Sequence, residues 1–201
     1  MDEQQAREEI RLIRDMLERT RRATAESGAL FIFWGVWMIL ALVGNYALVS
    51  LHRYGWLWAN WIFFGALGWA VTVFYHVRRG RARPVKTYAQ TASAYLSIAS
   101  GIAFLLAAFI LPVLGAYSYG LIPIIVALVS GIMMFGLGGI YQWPVLAAAG
   151  VLWWAGAMIM ACVPGDWRGV VLIPLMILGY IVPGFVFRAR FRRNGGDRAA
   201  E

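Results

Sequence analysis

Six stretches of this chain are apolar over the width of a bilayer: residues 29–50, 56–77, 92–113, 119–140, 144–163 and 169–188. None contains Asp, Glu, Lys or Arg until Arg188, the last residue of the sixth. About 20 apolar residues in a helix cross the hydrocarbon core, so each stretch predicts a transmembrane helix. The pattern is clearest in the middle, where no charged residue stands between Lys86 and Asp166 and three spans fit.

The first 28 residues follow another rule. Ala6, Ile10, Ile13, Leu17 and Thr20 recur at steps of four and three, one narrow apolar stripe on a helix over 2–23. Opposite charges stand four apart at Glu3/Arg7, Arg11/Asp15, Arg14/Glu18, Asp15/Arg19 and Glu18/Arg22, with acid gathered early and base late, as helix pairs and the helix dipole favour. The stripe Ile10, Ile13, Leu17 is the candidate contact for a second copy of the chain or a protein partner, though three heptads are near the minimum for a coiled coil. The bland alternative is a helix lying on the membrane surface. The expected fold is therefore all-α and integral to the membrane: a six-helix bundle over 29–188, preceded by an amphipathic cytoplasmic helix and linker (1–28) and followed by a basic tail (189–201).

Composition agrees, with 61% hydrophobic and 14% charged residues, against about 25% charged in soluble domains. The placement of charge sets the topology. Arg7, Arg11, Arg14, Arg19, Arg21 and Arg22 precede the first span; Arg78, Arg79, Arg81, Arg83 and Lys86 separate the second from the third; Arg188, Arg190, Arg192, Arg193 and Arg198 close the chain. Only Arg53 and Arg168 fall on the other side, so the positive-inside bias puts both ends in the cytoplasm. The long charged segment before the first span argues against a cleavable signal peptide. Cys162 is the only cysteine and has no disulfide partner within the chain. Seventeen arginines to one lysine suggest a GC-rich bacterial genome.

Small residues at spacings of four predict close helix packing: Ser93, Ser97 and Gly101 in the third span, Ala127 and Gly131 in the fourth, Ala157 and Ala161 in the fifth. Pro144 suits the first turn of the fifth span, whereas Pro123, Pro174 and Pro183 are expected to kink theirs. Tyr54, Trp56, Trp58, Trp61, Tyr117, Tyr119 and Trp167 are placed at the outer interface, Tyr141 and Trp143 at the inner one. Trp34, Trp37, Trp69, Trp153 and Trp154 lie deeper, where an indole N–H needs a partner. Gly65-Ala-Leu-Gly-Trp-Ala70 echoes Gly150-Val-Leu-Trp-Trp-Ala155, and Phe109-Ile-Leu-Pro112 echoes Tyr180-Ile-Val-Pro183. Three spans per half would make the halves inverted, a transporter arrangement.

Candidate chemistry is sparse. His52 and His76 fall on opposite sides of the bilayer, and no nucleophile, phosphate-loop or CxxC motif is present. No catalytic residue, cofactor or metal is expected. Asn45 and Asn60 lie at nearly one depth, about 6–8 Å below the outer boundary at 1.5 Å per residue. They are expected to hydrogen-bond to each other or to one shared group, or else to form the polar end of an outward-facing ligand site. Arg78, Arg79, Arg81, Arg83, Arg188, Arg190, Arg192 and Arg193 form a basic cytoplasmic face and are candidate contacts for anionic lipid headgroups; nucleic acid is not an expected partner.

The charged first helix, a first span opening Phe31-Ile-Phe-Trp-Gly35 and a last span ending Gly179-Tyr-Ile-Val-Pro-Gly184 before a basic tail resemble those of uncharacterised bacterial multi-pass inner-membrane proteins. The resemblance implies a location in the inner membrane and no activity. The expectation is a non-enzymatic scaffold, accessory or sensor subunit that binds a partner or lipid. The alternative is an uncoupled transporter or facilitator for small solutes, built from 3+3 inverted repeats.

Overall fold

The computed structural model describes residues 28–80 and 88–196, which form helices joined by short turns with no strand among them. Among these described residues six helices are long and apolar enough to cross a membrane. We label them α1 (Gly28–Ser50), α2 (Leu57–Gly80), α3 (Tyr88–Val113), α4 (Ile122–Ile140), α5 (Pro144–Cys162) and α6 (165–196). Two are interrupted by a π turn: α3 at Leu106–Ile110 and α6 at Ile177–Ile181. The helices fall on the six apolar stretches, α3 starting at Tyr88, ahead of the expected residue 92. The expected N-terminal helix, with Ile10, Ile13 and Leu17, lies outside the described residues, as do Arg81 and Arg83.

Three helices stop in the same way. After α1 the Arg53 N–H reaches back to the Leu48 carbonyl (2.8 Å) and the His52 N–H to Val49 (3.0 Å). After α3 the same two bonds run from Ala116 to Leu111 and from Gly115 to Pro112, both 3.0 Å. After α4 they run from Trp143 to Gly138 (2.7 Å) and from Gln142 to Gly139 (3.2 Å). This is the Schellman arrangement, which occupies the last carbonyls of a helix and needs one left-handed residue. That residue is His52 (φ 55°), Gly115 (φ 77°) and Gln142 (φ 50°) in turn. Pro123 and Pro144 sit in the first turns of α4 and α5, where no N–H is needed. The kink expected at Pro123 is therefore absent, because that proline starts its helix.

Packing is tightest between α4 and α5. A Cβ built on Gly150 would lie 2.7 Å from the Phe135 nitrogen and 2.8 Å from the Gly131 carbonyl oxygen, and one on Gly138 would lie 2.5 Å from the Ala147 nitrogen. Only glycine allows backbones this close. Aromatic rings cover other glycines: Trp154 lies on Gly131, Trp153 on Gly179, Trp69 on Gly101 and Trp34 on Gly68. Leu175 of α6 covers Gly156 of α5, while Gly28 and Gly184 bring α1 against α6. The small-residue spacings are used in part, since Ala127, Gly131 and Ala157 are buried but Ser97 and Ala161 are exposed.

Burial is uneven across the bundle. In its most apolar window α6 has 44% of its positions buried and α2 only 6%, so α4, α5 and α6 make the core and α2 is peripheral. Trp153, Met134, Leu146, Met160 and Pro183 are the large side chains closed off completely at the centre.

Candidate functional site

A helix with as little buried surface as α2 needs polar attachment, and α1 supplies it. The Trp34 indole donates to the Thr72 hydroxyl (3.1 Å) and the Trp37 indole to the Phe64 carbonyl (2.7 Å). Further along, the Asn60 amide donates to the Ala41 carbonyl (3.1 Å), and the Trp61 indole donates to the Asn45 amide oxygen (3.0 Å). The four bonds form a ladder between antiparallel neighbours. Asn45 and Asn60 are thus brought to the same interface but do not bond each other or share a group, which corrects the expected amide pair. Asn60 is pressed onto Gly44, where a Cβ would fall 2.7 Å from its Oδ1, and that contact turns its amide to the α1 backbone. Trp61, expected at the interface, takes the place of the second asparagine.

The two π turns stand at matching points of α3 and α6. Each is followed two residues later by a proline, Pro112 after Ile110 and Pro183 after Ile181. Within the turn the N–H reaches the carbonyl five residues back: Leu111 to Leu106, and Val182 to Ile177. The next donor in that register would be the proline, which has no N–H. The carbonyls left without it are Ala107 in α3 and Leu178 in α6. In α3 the Tyr117 hydroxyl, from the loop beyond the helix, donates to the Ala107 carbonyl. The echo of Phe109–Pro112 in Tyr180–Pro183 thus marks two copies of one local backbone structure. π turns are common at functional positions.

Around the π turn of α6 lies the polar centre of the bundle. Tyr180 is buried and its hydroxyl hydrogen-bonds Ser130 of α4, also buried. The Trp153 ring meets Tyr180 edge-on at 5.5 Å. Its indole N–H is fully buried and has no hydrogen-bond partner. The ring lies so close to Gly179 that a Cβ there would fall 2.3 Å from Nε1. From Tyr180 a file of aromatic rings runs to one end of the bundle through Phe31, Phe187 and Trp143. Trp143 is therefore buried in the core and not part of an interfacial belt, while Tyr141 beside it donates to the Ser93 hydroxyl (2.9 Å). Of the other deep tryptophans, Trp154 donates to the Leu128 carbonyl (3.3 Å).

The end of the bundle reached by this file carries the arginines. Arg188 is exposed, and Arg78 is exposed with its guanidinium 4.6 Å above the Phe74 ring. Arg79 and Arg190 lie in the helices here, and Arg192 and Arg193 in the last turns of α6. At the opposite end Tyr54, Trp56, Trp58, Tyr119 and Trp167 are exposed, as an aromatic belt requires. Arg168 there has a structural role that the sequence did not signal: it donates to the Met160 carbonyl in the last turn of α5 (3.0 Å) and to the Gly120 carbonyl before α4 (2.7 Å). His52 is an exposed turn residue.

Among the described residues no three His, Cys, Asp or Glu side chains come together as metal ligands. The concentration of buried polar groups is instead Ser130, Trp153 and Tyr180, one from each core helix, and sequence reasoning singled out none of them as a site. The repeated aromatic-x-x-Pro string was the available signal. No protein-family model, curated protein or solved structure matches this chain.

Proposed function

We propose that this chain is a multi-pass protein of a bacterial inner membrane, with both ends in the cytoplasm. In this reading it is a non-enzymatic scaffold, accessory or sensor subunit whose arginine-rich end binds anionic lipid headgroups. The observation that carries it is the filled interior. Trp153, Met134, Leu146 and Met160 are completely buried between α4, α5 and α6, and the α4 and α5 backbones touch at Gly138 and Gly150. A solid core favours a protein that presents a surface over one that passes a solute. Arg78 and Arg188 stand exposed at one end, where each basic residue near an anionic surface adds about 1 kcal/mol of attraction. The amphipathic 2–23 segment would extend that surface and offer Ile10, Ile13 and Leu17 to a second copy or a partner.

The second reading, an uncoupled small-solute facilitator of 3+3 inverted repeats, is favoured by the matched π turn and proline in α3 and α6. One comparison separates the two. Native mass spectrometry of the detergent-extracted protein should show bound phosphatidylglycerol or cardiolipin, lost when Arg78, Arg79 and Arg188 are changed to Gln. Proteoliposomes should swell in glycerol no faster than empty vesicles. Faster swelling with no retained lipid overturns the scaffold reading in favour of the facilitator.

A further inference from the structure

Pro112 leaves α3 a choice of register that a side chain decides. In an uninterrupted α-helix the Leu111 N–H would donate to Ala107, and the carbonyl facing the proline would be that of Ala108. In the π turn Leu111 donates to Leu106 instead, and the carbonyl facing the proline is that of Ala107. Ala107 is buried, where an acceptor without a donor is costly. Its donor is the Tyr117 hydroxyl. The register with the extra residue is therefore the one that the tyrosine completes. Tyr117 sits in a short loop fastened on both sides. Ala116 and Gly115 donate to Leu111 and Pro112 in the last turn of α3. Beyond the tyrosine, the Gly120 carbonyl accepts from Arg168, which also holds the Met160 carbonyl of α5. The π turn in its turn carries a contact to α2: a Cβ on Gly65 would lie 3.8 Å from Cζ of Phe109. Trp69 of α2 lies on Gly101, in the part of α3 before the break.

We propose that the loop over 114–118 is a strap: the Tyr117 hydroxyl holds α3 in its π register, and lifting the loop lets α3 return to the α register. The two registers differ by one residue, about 100° of rotation around the helix. Release therefore turns the end of α3 against the part before the break and takes Phe109 off Gly65. Trp69 on Gly101 stays where it is, so α2 loses one of these two rests on α3. α2 has little buried surface of its own, and its seating is correspondingly sensitive to that loss. The strap lies at the end of the bundle opposite Arg78, which α2 carries at its other end. Contact made on the loop is in this way transmitted along α2, whether or not the arginines bind lipid.

A distance between two spin labels tests the strap in the full-length protein in lipid nanodiscs. With Cys162 changed to Ala, labels are placed on cysteines at Val113, beyond the break, and at Met158 of α5, both exposed. Tyr117→Phe removes only the hydroxyl and should move the distance by several ångströms or add a second population. Pro112→Ala returns an N–H to the break, so the hydroxyl is no longer needed there. Adding Tyr117→Phe to Pro112→Ala should then leave the distance unchanged. An unchanged distance in Tyr117→Phe alone overturns the strap. A shift of equal size in both backgrounds also overturns it, because the tyrosine would then act by packing the loop. If Tyr117→Phe folds only together with Pro112→Ala, that rescue supports the strap; if it folds in neither background, the strap is overturned.

Discussion

A methyl group separates Gly138 from Gly139 in consequence. At Gly138 it would strike the Ala147 backbone at 2.5 Å, whereas at Gly139 it would meet nothing within 4 Å. Backbone atoms cannot swing aside as a side chain does, so Gly138→Ala must part α4 from α5, at about 1–3 kcal/mol for overpacking. Gly139→Ala should leave stability unchanged or raise it by up to about 1 kcal/mol through helix propensity. Thermal unfolding of the two variants in one detergent checks the contrast, and equal loss in both would refute the close approach. The asparagines provide a second residue-scale test. Because Asn45 accepts from Trp61 while Asn60 donates to Ala41, a double-mutant cycle of Asn45→Leu with Trp61→Phe should give a coupling near 0.6 kcal/mol and below about 1.7. The cycle of Asn45→Leu with Asn60→Leu should be additive within about 0.3–0.5 kcal/mol. Strong coupling between the asparagines would restore the amide pair that the sequence suggested. Their depth was legible from spacing alone; the choice of partner was not, because it depends on side-chain direction across a packed interface.

At the scale of elements, the ends of helices show how local chemistry and tertiary contact divide the work. Gly115 provides the left-handed residue after α3 at no steric cost, but α1 and α4 use His52 and Gln142. A non-glycine residue in that conformation costs about 1–2 kcal/mol. Gln142→Gly should therefore stabilise the protein by about 1 kcal/mol, read as a higher thermal midpoint, since its exposed side chain is lost without a core contact. A lower midpoint would show that the side chain does more than tolerate the turn. Arg168 works the other way, using one guanidinium to tie the α5 end to the loop before α4. Arg168→Lys should rescue little of the stability lost in Arg168→Met, because an ammonium lacks the planar fork that spans two carbonyls.

For the whole molecule the orientation is the sharpest expectation. In a Cys162-free background, single cysteines at Tyr117 or Asp166 should label from outside intact cells. Those at Arg81 or Asn194 should label only once the membrane is opened. Labelling of Asn194 from outside would rule out six spans with this orientation, and with it the proposed lipid-binding face.

The number, length and place of the apolar helices followed from sequence by itself. The reason is that a bilayer imposes one ruler on every span, and charge cannot be hidden within it. The helix start at Pro144 was legible for a local reason, since a proline suits a first turn, and Tyr54, Trp56 and Trp58 are exposed. What the sequence could not rank was which apolar face turns inward. α2 and α6 read alike as oily spans, yet one is peripheral and the other central. In lipid, the solvent proposed for this chain, hydropathy does not distinguish core from surface, and the choice passes to shape and hydrogen bonding. Shape placed Trp143 in the core against Phe187 and laid Trp153 on Gly179. Hydrogen bonding gave Trp61 to Asn45 and Tyr117 to the carbonyl that Pro112 leaves free. Tertiary structure alone decided these, because each needs a partner from another helix or from a loop beyond its own.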